Sequence, residues 1–358
     1  MKQLTIFLLF FLAGCTGGSK DNFESRKITF ADLSGWQQEN HLEAIEVFKK
    51  SCPILAKKSR PTSSGSDINI TASTWSSLCE DATTATTQIQ AKEFFESRFV
   101  PYRIANNGNE KGLFTGYYEP VLYGSLKKNG SYKYPLYAVP PELKNQKPYL
   151  THAEINAGGL TGRGLELLWV DDPVMIFFMQ VQGSGRIRLP DGNELRVGYG
   201  DQNGHPYVSL GKIMGDEGYI PSDKVNFFTI RQWLYDHPKQ AFSVMEKNPS
   251  YVFFKIIDKP EVVGAIGANL TPARSIAIDS KYIPYGLPVY METTLPTKTG
   301  AVPFQRLMTA QDTGGAIKSP VRADIFFGEG QDAEYLAGYM KNKGIYSLLV
   351  PKEITSQL

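Results

Sequence analysis

Gln311-Asp312-Thr313-Gly314-Gly315-Ala316-Ile317-Lys318, closely followed by Val321-Arg322-Ala323-Asp324-Ile325-Phe326-Phe327-Gly328, sets acids and turn residues against apolar strand positions. The run 321–327 is apolar, β-branched and aromatic, as a strand requires. Period-two geometry then puts Asp324 and Phe326 on one face, with Ala323, Ile325 and Phe327 on the other. A plain core strand does not carry a carboxylate there. An acid flanked by so much apolar surface tends to hold its proton, which is what a general acid near neutral pH needs. A structural carboxylate paired with Arg322 also fits, and Asp312 before Thr-Gly-Gly also reads as a turn residue bonded to nearby amides.

On either side of this stretch, short β-type runs alternate with Gly, Pro and Asn turns. The runs are 114–118, 134–139, 165–170, 174–181, 186–189, 194–199, 251–256, 274–278, 287–293, 305–311 and 345–350. Many short strands with close turns predict a small barrel. Helical spacing appears over 40–58, around 75–79, over 88–97, over 222–248 with Ser222 as its cap, and over 331–342. The fold class expected is mainly β with peripheral helices.

A length of 358 residues suggests about two domains. With 38 basic and 36 acidic residues the net charge is +2, which gives no general polyanion-binding surface and argues against nucleic acid as partner. The 3 cysteines and 4 histidines stand apart, so no zinc-ligand spacing can be assembled, and a metalloenzyme built on His or Cys is not expected.

The amino terminus runs from Met1-Lys2 through an apolar stretch, 4–12, to Ala13-Gly14-Cys15. This is too short for a permanent membrane span. A plain signal peptide cut near Ala13 is one reading; the cysteine after Leu12-Ala13-Gly14 resembles the lipobox of bacterial lipoproteins. That resemblance implies a signal peptide over 1–14, a lipid on Cys15, and a polar tether over 15–30. Thr16 in place of Asp implies the outer membrane. Cys52 and Cys79 read equally as a disulfide or as separate thiols, Cys52 on a core face.

Thr115-Gly116-Tyr117-Tyr118-Glu119 and Gln180-Val181-Gln182-Gly183-Ser184 also place polar groups among apolar positions. Together with the acids they suggest a sugar-binding cleft, where aromatic faces meet pyranose rings and amides and hydroxyls bind the ring substituents. Tyr117 and Tyr118 could instead be barrel core, and Gln182-Gly183-Ser184-Gly185 a turn.

The ordered combination of Cys15, Gly116-Tyr117-Tyr118-Glu119-Pro120, Gly162-Arg163-Gly164, Trp169-Val170-Asp171-Asp172-Pro173, Gln182-Gly183-Ser184-Gly185, Asn248-Pro249-Ser250-Tyr251 and Gln311-Asp312-Thr313-Gly314-Gly315 through Asp324 resembles the membrane-bound lytic murein transglycosylase A family. The last part resembles a three-aspartate domain whose acids fall on Asp279, Asp312 and Asp324. The resemblance implies a double-psi β-barrel from 31–125 plus 249–358, with a smaller β-barrel domain inserted over 126–248 and a groove between them. It also implies cleavage of peptidoglycan glycan strands between N-acetylmuramic acid and N-acetylglucosamine, with a 1,6-anhydro product. Asp324 would be the catalytic acid and Asp312 its support, with substrate at Thr115, Gly116, Tyr117, Tyr118, Gln180, Gln182 and Ser184. The implied place is the periplasmic face of the outer membrane, with proteins of murein synthesis or hydrolysis as further partners.

Rivals remain on the residues. A muramidase-type hydrolase would use Asp312 or Glu119 as a second carboxylate. An expansin-like lipoprotein would bind the wall without cleaving it. Asp312-Thr313-Gly314 also matches the short motif of aspartic proteases, though no second copy occurs.

Overall fold

The computed structural model describes residues 21–57, 68–258 and 261–357; Cys15 and its lipobox lie outside them. Among the described residues the strands are β1 (Phe23–Lys27), β2 (Phe99–Asn106), β3 (Gly112–Glu119), β4 (Val121–Ser125), β5 (Tyr134–Tyr137), β6 (Glu166–Val170) and β7 (Ser184–Arg188). They continue with β8 (Glu194–Gln202), β9 (Val252–Ile257), β10 (Ser275–Ile278), β11 (Pro288–Thr297), β12 (Gly300–Asp312), β13 (Arg322–Glu329) and β14 (Lys341–Pro351). Residues 23–27, expected within the tether, form β1 and pair antiparallel with β2.

The first sheet runs β1-β2-β14-β11-β12-β10-β13-β3, and β3 also pairs with β14. That last pairing closes β14, β11, β12, β10, β13 and β3 into a six-stranded ring, the double-psi barrel. Two of its pairings are parallel, β10 with β12 and β13 with β3. The parallel partners β3 and β13 are far apart in sequence, so the ring joins the two ends of the chain. The large core cluster includes Phe114, Ile276, Ile278, Val289, Leu307, Ala323, Ile325, Phe327 and Leu348. Asp324 and Phe326 fall on the other face, as the period-two reading requires: Phe326 joins Tyr117, Leu270, Ala277 and Ile317 in a separate small cluster.

The second sheet runs β5-β6-β4-β7-β8-β9, and a bridge between Ala138 and Phe254 draws its edges together. Its strands span Val121 to Ile257, so the chain changes sheets at Pro120 and again after Ile257. Glu119, at the end of β3, fastens the two sheets. It is fully buried and accepts from Arg196 Nη2 at 2.6 Å on β8 and from Arg186 Nε at 2.8 Å on β7.

Residues 174–181, expected as a strand, form the helix Pro173–Gln182 instead. A continuous apolar run cannot distinguish a buried strand from a buried helix. Here the start signal decides: Asp172 accepts hydrogen bonds from the amides of Val174 and Met175, and Pro173 sits in the first turn. The helix is apolar all round because it is shared by two clusters, Val174, Phe177 and Phe178 facing one, Ile176 and Met179 the other. Gly183 ends it with a left-handed φ of 83°, a conformation that suits glycine. The helix Phe227–Asp236 is capped by Asn226 rather than by Ser222, which lies in a separate short turn.

Helices His41–Leu55, Ala72–Thr84 and Gln88–Arg98 pack on the barrel. A disulfide between Cys52 and Cys79 joins the first two. No helix among the described residues is long and apolar enough to cross a membrane.

Candidate active site

Strand pairing lays the chemistry out in one row. Thr115 on β3 is in register with Asp324 on β13, Asp324 with Ala277 on β10, and Ala277 with Asp312 on β12. Residues so paired share a face, about 4.8 Å apart from strand to strand. The two acids therefore stand two strands apart on the face opposite the core.

Asp324 is part-buried. Its Oδ1 accepts from the Thr115 hydroxyl at 2.6 Å, and that hydroxyl in turn accepts from Arg322 Nη2 at 2.8 Å. Arg322 is anchored by the carbonyls of Leu113 and Ala323. Burial pushes the Asp324 carboxyl above the usual range, while the Arg322 charge and the Thr115 hydrogen bond pull it back. Because Arg322 fills the acceptor side of Thr115, the hydroxyl hydrogen is directed at Oδ1, and a proton held by Asp324 sits on Oδ2. Arg322 helps to hold Asp324, but through the Thr115 hydroxyl rather than by a direct ion pair.

Asp312 is held differently. Tyr117 donates to Oδ2 at 2.7 Å, and the amides of Ala265 and Thr313 donate to Oδ1, each at 2.9 Å. The Asx reading was correct in part, and the phenol of Tyr117 adds a third donor. Burial raises this carboxyl too, the three donors lower it, and the charge of Asp324 raises it again. Asp279, the third acid, accepts from the amides of Lys281 and Ser319 and so ties two loops to the end of β10.

The expected substrate residues separate into groups. Thr115 touches Asp324. Tyr117 is buried, its ring 5.3 Å from that of Phe326, and its part is to grip Asp312 rather than to offer a face to a sugar. A Cβ on Gly116 would lie 2.3 Å from the Phe327 ring, so glycine here lets helix Gln331–Tyr339 and β13 close on β3. Gln182 accepts from the Tyr118 amide at 3.0 Å, which joins the two sheets at this edge. Gln180 is buried, and its amide nitrogen has no hydrogen-bond partner among the described residues. Ser184 opens β7, part-exposed.

Tyr118 and Gln182 border a cavity of about 450 Å³ between the two sheets' helices. Phe178, Phe227, Ser209, Lys341 and Tyr207 also line it. Tyr207 was not anticipated: it lies in a loop without a motif, yet it lines this cavity, and its phenol is raised by burial and by the charge of Asp324. Glu119, the other conceivable second carboxylate, is committed to Arg186 and Arg196. Among the described residues no cluster of His, Cys, Asp and Glu is arranged to hold a metal ion.

The family described as MltA specific insert domain matches residues 113–255, and the 3D domain matches 274–350. The membrane-bound lytic murein transglycosylase A of Vibrio cholerae is 36% identical over 245 residues, 66% of this chain and 65% of that one. The crystal structure of the membrane-bound lytic murein transglycosylase from Agrobacterium tumefaciens superposes with a TM-score of 0.83 at 31% identity, covering 93% of this chain and 99% of that one. Escherichia coli MltA with bound chitohexaose gives a TM-score of 0.71 at 28% identity, covering 89% and 90%. With two family models matched in order along the chain and a relative at 31% identity superposed over 93% of it, the chain belongs to the membrane-bound lytic murein transglycosylase A family.

Proposed function

We propose that the chain is a lytic transglycosylase that cleaves peptidoglycan between N-acetylmuramic acid and N-acetylglucosamine. The observation that carries this reading is the inequality of the two acids. Asp324 has one oxygen bonded by Thr115 and the other without a donor among the described residues, whereas Asp312 has both oxygens occupied. A single proton-holding acid suits a reaction whose nucleophile belongs to the substrate.

In that reaction Asp324 gives its Oδ2 proton to the glycosidic oxygen, and the bond from that oxygen to C1 of muramic acid breaks with its electron pair going to oxygen. Positive charge develops at C1. The carboxylate then takes the proton of the C6 hydroxyl, whose oxygen bonds to C1 and closes the 1,6-anhydro ring. Asp324 ends protonated, and neither water nor a cofactor enters. Asp312, gripped from three sides, supports the charge and fixes the loop 312–317 beside the acid.

Further support comes from the relative that binds chitohexaose, a glycan of the same N-acetylglucosamine type. The barrel, built from strands before Pro120 and after Ile257, would supply the acid, and the inserted sheet, 121–257 rather than the expected 126–248, the opposite wall of the groove. Cys15 would carry the lipid that holds the enzyme on the periplasmic face of the outer membrane, near other proteins of murein synthesis or hydrolysis. Conversion of Cys15 to Ser should then release the protein from the membrane fraction.

The deciding experiment is mass spectrometry of the products released from purified peptidoglycan. Anhydro ends, lighter by one water than reducing ends, are expected. Reducing ends would identify a hydrolase with Asp312 as its base, and no release of soluble fragments would leave a binding protein.

A further inference from the structure

The row of paired residues does not stop at Thr115. Its neighbour on the far side is Lys341, the first residue of β14, in register with Thr115. The sequence across four adjacent strands is thus Lys341, Thr115, Asp324 and Ala277, with Asp312 on the fifth. By ordinary strand spacing the backbone of Lys341 is about 10 Å from that of Asp324. Asp324 therefore lies midway between a cation and an anion on one face of the barrel.

Lys341 is exposed, and its ammonium has no hydrogen-bond or ion-pair partner among the described residues. It lines the same cavity as Tyr207, Gln182 and Lys212, and the charge of Lys212 is taken up by Asp216. An unpaired ammonium lining this cavity, two strands from an acid already supported by Arg322, has no structural task in the protein. It is placed to meet an anion that arrives with the ligand.

We infer that Lys341 is a carboxylate-binding position of the groove, taking the carboxylate borne by a muramyl residue next to the cleaved bond. This rests on the reading of the groove as a peptidoglycan site. The carboxylate has two sources, the lactyl ether of a strand without peptides or the peptide stem itself. N-acetylglucosamine carries neither, so the position would give the enzyme a means of telling a murein strand from a chitin-like one.

The test compares wild type with Lys341→Met and Lys341→Arg on three ligands: the N-acetylglucosamine hexamer, stem-free murein strands, and strands bearing stems. The quantity read is the ratio of affinity for a murein strand to affinity for the hexamer. Lys341→Met should lower that ratio about 10-fold, Lys341→Arg should keep it, and high salt should erase the difference. Loss confined to stem-free strands assigns the lactyl carboxylate, and loss confined to stem-bearing strands assigns the peptide. An unchanged ratio overturns the inference, as does a shifted pH profile with an unchanged ratio, which would make Lys341 a tuner of Asp324. Anhydro products from the wild type test the underlying reading separately, since they do not depend on Lys341.

Discussion

Thr115 donates its only hydroxyl hydrogen to Asp324 Oδ1 across 2.6 Å, and Arg322 holds that hydroxyl from behind at 2.8 Å. The acid is thereby oriented by a residue on a neighbouring strand, with its second oxygen left without a donor among the described residues.

Conversion of Thr115 to Val keeps the shape and removes this donor. Turnover should fall about 10-fold, the worth of one charge-assisted hydrogen bond. The lost bond favoured the ionised form, so the Asp324 carboxyl should rise further. Because a general acid works while protonated, the alkaline limb of the pH-rate profile should move to higher pH. Arg322→Met should move the limb in the same direction; movement of either toward acid pH would contradict the arrangement.

Asp324→Asn keeps the packing and removes the proton that is transferred, so turnover should fall by about 100-fold or more while glycan affinity persists. Asp312→Asn should cost less, and Tyr117→Phe less again, since it removes one of three donors and keeps the Asp312 charge. Steady-state kinetics on purified sacculi, with affinity for the hexamer measured beside it, separates these cases. Equal losses for the two acids would require Asp312 to take part in proton transfer.

Glu119 is buried between two arginines at the joint of the sheets. Glu119→Gln leaves those cations short of a counter-charge and should cost about 3 kcal/mol in unfolding free energy. Chemical denaturation measures this directly. A variant of unchanged stability would mean that Arg186, which also pairs with Glu194 and Glu329, is satisfied without Glu119.

His41 and His152 are buried, and burial lowers each imidazole from its usual 6.5 to about 4. Between those values the unfolded chain binds protons that the folded one refuses. Stability from these two groups is fully present above pH 6.5 and declines as pH falls toward 4, by about 2 kcal/mol for each at pH 4.5. Asp324 and Asp312, raised in the folded protein, act in the opposite sense, so the measurement compares the wild type's pH slope with that of a His41→Gln, His152→Gln variant. The variant should show the shallower decline on the acid side.

The Cys52–Cys79 bond closes a loop with a sequence separation of 27, for which chain entropy predicts about 3.5 kcal/mol. Replacing both residues with Ala should lower stability by about that amount. Since the bonded helices pack on the barrel away from Asp324, activity at low temperature should persist.

How much of this was legible in the sequence depended on distance along the chain. The face of Asp324 followed from alternation over a few neighbouring residues, and most barrel strands followed from composition and turns. The helix Pro173–Gln182 was misread because its apolar run is shared by two cores, leaving no polar face to set a helical period; Asp172-Pro173 held the only cue. Tyr117 looked like a sugar platform because nothing local reveals that its phenol meets an acid 195 residues away. Tyr207 and Lys341 carry no motif at all. Their roles come from docking and from strand register, which are properties of pairings between remote segments.

The order of those remote segments governs when an active site can exist. β3 is complete by Glu119, but both strands it pairs with, β13 and β14, come more than 200 residues later. During synthesis Thr115 waits for Asp324, and the ring stays open until the final strand arrives. Such long-range closure is slow. It also means that a chain cut short before β13 lacks Asp324, and one cut short before β14 leaves the ring unclosed.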